Sequence, residues 1–362
     1  MNFLFHLLSV GIGTESNLQF TFSEQPSWRY ILGQSNRHGV LALVFDGYTK
    51  LVDNGLIPAE YLPSQSNRMK WVSNVMKIED VCRRQYQLSS QIASVYQQHG
   101  IKTVVLKGIA SGTLYPNPYH RPCGDLDCFL MGEYDRGNTI AAEIGAQLKG
   151  HDTKHSHIRY KGLEIENHKF CTPVAGSKNA KVFERHLQEL LGDNGATPIN
   201  DTSLLNPDPT FNAVFLTVHS WRHFVYEALR LHQVCDWALL MHHHADDIDW
   251  NRYVTLLNLR DTRILDFARH ISLIAHEQLS APLPSIFRSE HSDALTQKVL
   301  HSILNDKDPS KLPTNSFFRR KYLILRTMLR PTWKLRQFTH DTPIKNTLKN
   351  LYVYFFERNP KI

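Results

Sequence analysis

Asp125 and Asp127 are separated by a single residue, in a segment that also carries Gly108 and Gly124. The residues around the pair read as a β-strand, and residues i and i+2 of a strand point to the same face. Two carboxylates held side by side repel each other unless a cation lies between them. The spacing therefore predicts a divalent metal site, and an exposed acidic turn is the alternative.

A third carboxylate is predicted from residues 163–170, where polar and apolar residues alternate as in a half-buried strand. The polar positions are Glu164, Glu166 and His168. If this strand neighbours the strand of the aspartates, one glutamate comes within about one strand spacing of them, ~5 Å. Three such carboxylates can hold two Mg²⁺ ions, with Mn²⁺ as the other candidate metal.

The loop between the predicted strands carries groups suited to phosphate. Lys107 and Gly108 follow a β-branched strand at 101–106, and a glycine turn leaves room for phosphate to approach backbone N–H groups. Lys107 would either add a positive charge or face solvent. Arg121 would either contact phosphate or brace the loop by pairing with a carboxylate.

Helices on both sides must position these strands. Hydrophobic periodicity predicts a helical region at 1–99, a mixed core at 100–200 and a helical domain at 201–362. In chain order, the predicted elements are a helix at about 69–98 ended by Gly100, strands at 101–106, 158–160 and 163–170, a helix at 133–148, a linker at 204–209, and helices at 214–225, 229–243 and 248–279.

The composition predicts a folded cytoplasmic protein. The chain has 362 residues, of which 42% are hydrophobic and 21% charged, which suits two or three globular units. No apolar stretch approaches the eighteen or so residues of a membrane span, and the first ten residues carry no basic residue before their apolar run. Five cysteines without paired-motif spacing favour a reducing compartment.

Positive charge is concentrated at the C-terminus. The formal net charge is +7, and residues 317–362 contain eleven lysines and arginines against two acidic residues. On a helix, Arg319, Arg326 and Arg330 would share one face. Such a segment would bind an anionic membrane or nucleic acid, dock on its own protein, or attract a polyanionic substrate.

The motifs together resemble the uncharacterised bacterial nucleotidyltransferase family of the polymerase-beta-like nucleotidyltransferase superfamily. The resemblance rests on Leu106-Lys-Gly, Leu114-Tyr-Pro, Arg121-x-x-Gly-Asp-Leu-Asp and Glu166-Asn-His168, and it extends to Arg37-His-Gly-Val40 and to His232-Gln-Val-Cys-Asp-Trp-Ala-Leu-Leu240. Two features depart from the pattern. The glycine turn is farther from the Asp pair than is usual, and His232 stands where family members tend to carry arginine.

The resemblance implies an α+β fold, with a small mixed-sheet core flanked by helical regions. It implies Mg²⁺-dependent transfer of a nucleoside monophosphate from an NTP such as ATP to an acceptor, with release of pyrophosphate. The acceptor could be a small molecule, a protein side chain or an RNA end. The implied site comprises the metal ligands Asp125, Asp127 and Glu166, the nucleotide contacts Lys107, Gly108, Arg121 and Gly124, and the substrate-pocket residues His168, His219, His223 and His232. The Glu-x-His pattern selects Glu166 over Glu164.

Two alternatives stay open. One is an inactive protein of the same fold that binds a nucleotide or a partner. The other is a phosphohydrolase that uses a transition metal held by histidines of the C-terminal half. His219 and His223 are four residues apart on a predicted helix, which suits a metal, although such a pair more often packs and forms hydrogen bonds, and we expect it near the substrate. Asp236 is predicted to anchor one helix to another, and the run His242 to His244 to form a solvated helix end.

Overall fold

A computed structural model describes residues 2–151, 153–174, 177–192, 195–288, 294–306 and 333–340. The predicted basic face of Arg319, Arg326 and Arg330 lies outside these residues. Among the described helices, none is both long enough and apolar enough to cross a lipid bilayer.

A mixed sheet of seven strands forms the centre of the fold. Its strands are β1 (Thr103–Val105), β2 (Leu126–Phe129), β3 (Gln147–His151), β4 (His155–Tyr160), β5 (Leu163–His168), β6 (Ala196–Pro198) and β7 (Leu204–Pro207). Their order across the sheet is β3-β4-β5-β2-β1-β7-β6. The β2–β5 and β1–β7 pairs are parallel, and the other neighbours are antiparallel.

The described residues include α-helices before, between and after the strands. These are α1 (Phe3–Ile12), α2 (Trp28–Arg37), α3 (Leu41–Asp53), α4 (Gln65–Gln98), α5 (Ile109–Gly112), α6 (Tyr134–Glu143), α7 (Lys178–Glu189), α8 (Pro209–Tyr226), α9 (Leu231–His244), α10 (Trp250–Arg260), α11 (Arg263–Leu279), α12 (Ala294–Asn305) and α13 (Trp333–Phe338). The predicted α+β class with helical flanks is confirmed.

Two hydrophobic clusters cover opposite faces of the sheet. Successive strand residues point to opposite faces, so Val104 lies in one cluster and Val105 in the other. The cluster with Val104 unites apolar residues of α1 and α3 with those of α8, α9 and α11. The cluster with Val105 contains Ile92 and Tyr96 of α4 and Ile140 of α6. The N-terminal and C-terminal helices therefore share one core.

The long helix before the first strand is present as predicted. It is α4, and it ends just before Gly100, which adopts a positive φ of 74°. Of the apolar residues spaced along its first half, Val75 is buried whereas Val72 and Met76 are exposed. The helical spacing of these apolar residues therefore predicts a buried face for only part of this half of α4.

The prediction of one helix over 133–148 is wrong at its end. Helix α6 stops at Glu143, and Gly145 has a φ of 83°, a conformation that side chains disfavour and that turns the chain. Gln147 and Leu148 instead begin the edge strand β3, which pairs with β4. The glycine is the physical reason that the helix does not continue.

The prediction of a linker at 204–209 is also wrong. Residues Leu204–Pro207 form β7, and Leu204 is fully buried opposite Thr103 of β1. Asp208 then caps α8, because its carboxylate accepts hydrogen bonds from the backbone N–H groups of Thr210 and Phe211. The prolines thus mark a strand end and a helix start.

Glycines allow α1 and α3 to cross at very short range. A β-carbon at Gly11 would lie 2.0 Å from the carbonyl oxygen of Leu43, and one at Gly47 would lie 1.8 Å from that of Leu7. Both neighbours are backbone atoms, so a larger residue at either glycine must push the helices apart.

We expect Gly47→Ala to lower the free energy of unfolding by about 1–3 kcal/mol or more, because overpacking forces the backbone to shift. Gly33→Ala is the matched control. Gly33 is exposed on α2 with no neighbouring atom within 4 Å of the added carbon, so alanine should stabilise that helix by up to about 1 kcal/mol. Urea unfolding of both variants measures the difference, and equal effects would contradict the close crossing.

Candidate active site

Strand pairing at the centre of the sheet brings the predicted carboxylates together. In the parallel β2–β5 pair, Asp127 lies directly opposite Glu166. Strand β1 lies on the other side of β2, and the backbone N–H of Leu106 donates to the carbonyl of Asp127 at 3.0 Å. Asp127 is therefore fixed from both sides, and its side chain is 1% exposed.

Asp125, Asp127 and Glu166 each offer one carboxylate oxygen, and these oxygens all lie within 4.8 Å of one another. Glu164 does not join them, although it is on the same face of β5. Its carboxylate is 53% exposed and pairs with Arg159 at 3.2 Å. Of the two glutamates considered from the sequence, the structure brings Glu166 to the aspartates.

The ammonium group of Lys107 lies between the two aspartates. Its Nζ is 3.3 Å from Asp125 Oδ1 and forms a close ion pair with Asp127. Burial alone would lower the pKa of Lys107, but the negative charges of Asp127 and Asp125 raise it above its ordinary value. Lys107 therefore stays charged where a cation is required, and it does not face solvent.

The two aspartates differ in their ease of ionisation. Burial opposes ionisation of Asp127, yet the charge of Lys107 and a hydrogen bond from His168 hold its pKa well below the ordinary value. Burial and the neighbouring charge of Asp127 raise the pKa of Asp125. Asp127 is consequently the permanent negative centre of the group.

His168 connects two of the carboxylates from within the sheet. Its Nε2 is 3.2 Å from Asp127 Oδ1 and 3.4 Å from Glu166 Oε2, and its ring is buried. Burial works against ionisation of Glu166, but the hydrogen bond from His168 lowers its pKa. His168 was predicted in the substrate pocket, and the structure has it among the carboxylates.

The glycine turn lies beside the Asp pair despite its distance in sequence. A β-carbon at Gly108 would be 3.8 Å from the carbonyl oxygen of Asp125. The intervening chain is taken up by α5 and by a 3-10 turn, Pro118–His120. Gly108 has a φ of 66°, which only glycine adopts without strain.

Arg121 braces the loop, which is one of the two roles predicted for it. Its Nη2 and Nε donate to the Asp236 carboxylate at 2.6 and 3.1 Å, and both side chains are buried. The Tyr115 hydroxyl donates to the same carboxylate at 2.7 Å. Gly124, next to the Asp pair, is exposed, and its carbonyl accepts from Gln85 at 2.7 Å. Asp236 thus anchors α9 to the loop that precedes the two aspartates.

His219 and His223 contact each other on α8, with their Nε2 atoms 3.1 Å apart. His223 also pairs with Glu227 at 2.7 Å. Burial and the charges of His223 and Lys107 hold the pKa of His219 well below its ordinary value, so His219 is neutral near the carboxylates. Among the described residues, no group of three metal-ligating side chains includes either histidine. The histidine-based phosphohydrolase is therefore not supported by their placement.

His232 lies apart from the carboxylates. Its Nδ1 is 3.1 Å from the carbonyl oxygen of His38. Burial and the positive charge of Arg121 lower the pKa of His232 to about 4. At neutral pH this position consequently offers no positive charge to a phosphate. At the end of α9, His244 pairs with Asp247 at an exposed site, as a solvated helix end requires.

Two further residues near the site were not predicted. His155 Nε2 lies 3.4 Å from Glu166 Oε1. Lys154 precedes it, and burial lowers the pKa of Lys154 although the charges of Asp127 and Glu166 oppose this. The predicted strand began at Ile158, too late to include them. Extending the alternation back through His157 would have revealed His155, whereas Lys154 lies just before the strand.

The donor set suits a hard divalent cation. Three carboxylates within ligand distance supply oxygen donors, which Mg²⁺ prefers. The ammonium group of Lys107 already lies between two of them, as a positively charged stand-in. The residues present therefore fit the metal that the sequence predicts.

The ammonium group of Lys107 and a metal ion would compete for the same carboxylates, and replacement of Lys107 tests this competition. We expect Lys107→Met to bind Mn²⁺, in the absence of nucleotide, at least about tenfold more tightly than the unaltered protein, because a charge a few ångströms from the metal is removed. Electron paramagnetic resonance of free Mn²⁺ measures the affinity. Lys102→Met, at an exposed position before β1, is the control. Weaker binding by Lys107→Met would contradict the account.

Loss of the buried pair should destabilise the fold. We expect Asp236→Asn to lower the free energy of unfolding by about 3–5 kcal/mol, because Arg121 is left buried without its counter-charge. Glu164→Gln, which breaks the exposed pair with Arg159, should cost at most about 1 kcal/mol. Denaturant unfolding at pH 7 compares the two variants.

This cost should depend on pH. Burial opposes ionisation of Asp236, but Arg121 lowers its pKa below the ordinary value. The stabilisation is therefore present above about pH 4, the range of an unpaired aspartate, and is lost as the pH falls through the lower value in the folded protein. Below about pH 4, the difference in the free energy of unfolding between Asp236→Asn and the unaltered protein should therefore become smaller. A difference that does not change with pH would contradict the lowered pKa of Asp236.

Comparison with known proteins identifies the family. The sequence model of a family described as uncharacterised nucleotidyltransferase matches residues 24–279. This range covers more than half of the chain and includes the three clustered carboxylates. No curated protein and no solved structure matches the chain. The chain belongs to the uncharacterised nucleotidyltransferase family.

Proposed function

We propose that this protein is a Mg²⁺-dependent nucleotidyltransferase that moves a nucleoside monophosphate from an NTP to an acceptor. The observation that carries the proposal is the cluster of Asp125, Asp127 and Glu166, formed across the parallel β2–β5 pair. Membership of a nucleotidyltransferase family supports the reaction type. We also assign the fold to the polymerase-beta-like superfamily, on the basis of the Gly-Asp-x-Asp and Glu-x-His motifs.

Asp125, Asp127 and Glu166 would hold the metal, with Mn²⁺ as a substitute for Mg²⁺. When bound, the metal would supply positive charge that activates the acceptor hydroxyl and stabilises the leaving pyrophosphate. The lowered pKa values of Asp127 and Glu166 keep these ligands ionised. His168 holds both carboxylates in position from behind.

Lys107 and Gly108 are proposed to contact the triphosphate of the NTP. Metal binding at the aspartates would release Lys107 Nζ, which then lies within reach of a phosphate oxygen. Gly108 presents backbone without a side chain beside Asp125. The pair of His219 and His223 is proposed to line the acceptor side, since neutral His219 is in the electrostatic range of Lys107 and Asp127.

The transfer itself breaks one bond and forms another. An acceptor oxygen attacks the α-phosphorus, the bond from that phosphorus to the β-phosphate oxygen breaks, and pyrophosphate leaves with the bond electrons. The acceptor proton passes to Glu166 or to water. The acceptor is proposed to be a small molecule, a protein side chain or an RNA end, and the basic C-terminal segment to attract an anionic partner. A cytoplasmic location is proposed from the five unpaired cysteines.

A second candidate is a protein that binds nucleotide without transferring it. The observation that favours it is Lys107, whose ammonium group neutralises the aspartates without a metal. Calorimetry with each NTP, with and without Mg²⁺, separates the candidates. Nucleotide binding that is independent of Mg²⁺, with no product after long incubation, would favour the binding protein.

Incubation with NTPs labelled at the α-phosphate, Mg²⁺ and cell extract tests transfer and identifies the labelled acceptor. We expect Asp127→Asn to reduce labelling by more than about a hundredfold. Loss of a residue that only hydrogen-bonds a metal ligand already lowers metal affinity or activity by about ten- to a hundredfold. Asp125→Asn should behave in the same way.

Glu164→Gln is the matched control for this assay. Glu164 lies on the same strand and face as Glu166 but pairs only with the exposed Arg159 among its ionic contacts in the described chain. It should label the acceptor as the unaltered protein does. Full labelling by Asp127→Asn would refute the proposed function.

A further inference from the structure

A second group of potential metal ligands adjoins the carboxylate cluster. His155, Glu166 and His168 each offer one ligand atom, and these atoms lie within 4.8 Å of one another. The group shares Glu166 with the three-carboxylate cluster but differs in kind, because two of its three ligands are imidazole nitrogens. Imidazole favours transition metals such as Zn²⁺, whereas Mg²⁺ prefers oxygen.

The sheet itself builds this group. His155 on β4 is directly opposite His168 on β5, and Glu166 lies two residues before His168 on the same face. The two imidazole rings are stacked, with centroids 5.0 Å apart. His155 and His168 are 8% and 1% exposed. The ligands are therefore held by backbone pairing and are already largely removed from water.

The spacing matches that of ligands around a small transition metal. His155 Nε2 is 3.4 Å from one oxygen of Glu166, and His168 Nε2 is 3.4 Å from the other. Ligands of a tetrahedral Zn²⁺, each at about 2.0–2.1 Å from the metal, are separated by roughly 3.3 Å. Because the two imidazole rings are nearly parallel, they must rotate about their side-chain bonds to direct both nitrogens at one ion.

The hydrogen bonding of His168 prepares its Nε2 as a ligand. The Nδ1 atom is 3.2 Å from the carbonyl oxygen of Phe170, which can only accept, so Nδ1 carries a hydrogen. The other ring nitrogen, Nε2, faces carboxylate oxygens of Asp127 and Glu166 at 3.2 and 3.4 Å. A carbonyl at the far nitrogen is the usual outer partner of a metal-bound histidine.

We propose that His155, Glu166 and His168 form a binding site for a transition-metal dication of the Zn²⁺ type, beside the carboxylate cluster. His157 lies at the exposed rim, with Nδ1 3.9 Å from Glu166 Oε1, and can complete the coordination. The site shares Glu166 with the proposed Mg²⁺ cluster but does not include Asp125, so a change at Asp125 tests the two sites separately.

Titration with Co²⁺, a coloured probe for zinc sites, tests the proposal in the full-length protein with excess Mg²⁺ and no nucleotide. We expect one equivalent of Co²⁺ to give visible absorption bands typical of nitrogen ligation, and Zn²⁺ to displace it. His155→Ala should weaken Co²⁺ binding by at least about tenfold. His151→Ala, which removes an exposed histidine from the neighbouring strand β3, should leave it unchanged.

Asp125→Asn separates this site from the proposed function. It should lose nucleotide transfer but keep Co²⁺ binding, because Asp125 belongs only to the carboxylate cluster. Loss of Co²⁺ binding in Asp125→Asn with retention in His155→Ala would move the ion to the carboxylates and overturn the proposal. Absence of Co²⁺ binding by the folded, unaltered protein would also overturn the proposal.

Discussion

The parallel pairing of β2 with β5 is the constraint on which the rest of the site depends. It sets Asp127 opposite Glu166 in the interior of the sheet, where negative charge is costly. Two side chains from neighbouring strands offset that cost. Lys107, at the end of β1, supplies a positive charge, and His168, two residues beyond Glu166, supplies a hydrogen bond.

The surrounding helices hold the loop between β1 and β2 in place beside the carboxylates. The loop between β1 and β2 contains α5 and the 3-10 turn, and His120 of that turn bonds Asp46 of α3 and Glu79 of α4. The buried pair of Arg121 with Asp236 ties that loop to α9, which belongs to the core shared by the N-terminal and C-terminal helices. The helices α1 and α3, which cross at their glycines, contribute apolar residues to that same core.

Local sequence patterns predicted the parts of the site that depend on strand periodicity. Asp125 and Asp127 follow from i, i+2 spacing, while the preference for Glu166 over Glu164 came from the family resemblance, because both glutamates lie on one face. Long-range pairing decided what local patterns missed. The strand β7 at Leu204 is only four residues long and is stabilised by pairing with β1. The local sequence does not show that pairing, and its prolines therefore suggested a linker. His155 was missed because its strand was begun too late, and the position of Lys107 depends on two partners eighteen and twenty residues away.

Anomalous diffraction from a crystal grown with Mn²⁺ and an NTP analogue that resists cleavage would locate the metal and Lys107 together. We expect a manganese peak about 2.1 Å from oxygens of Asp125, Asp127 and Glu166. We also expect Lys107 Nζ to have moved from the aspartates to a phosphate oxygen. An ordered nucleotide with Lys107 still between the aspartates, and no manganese there, would contradict both expectations.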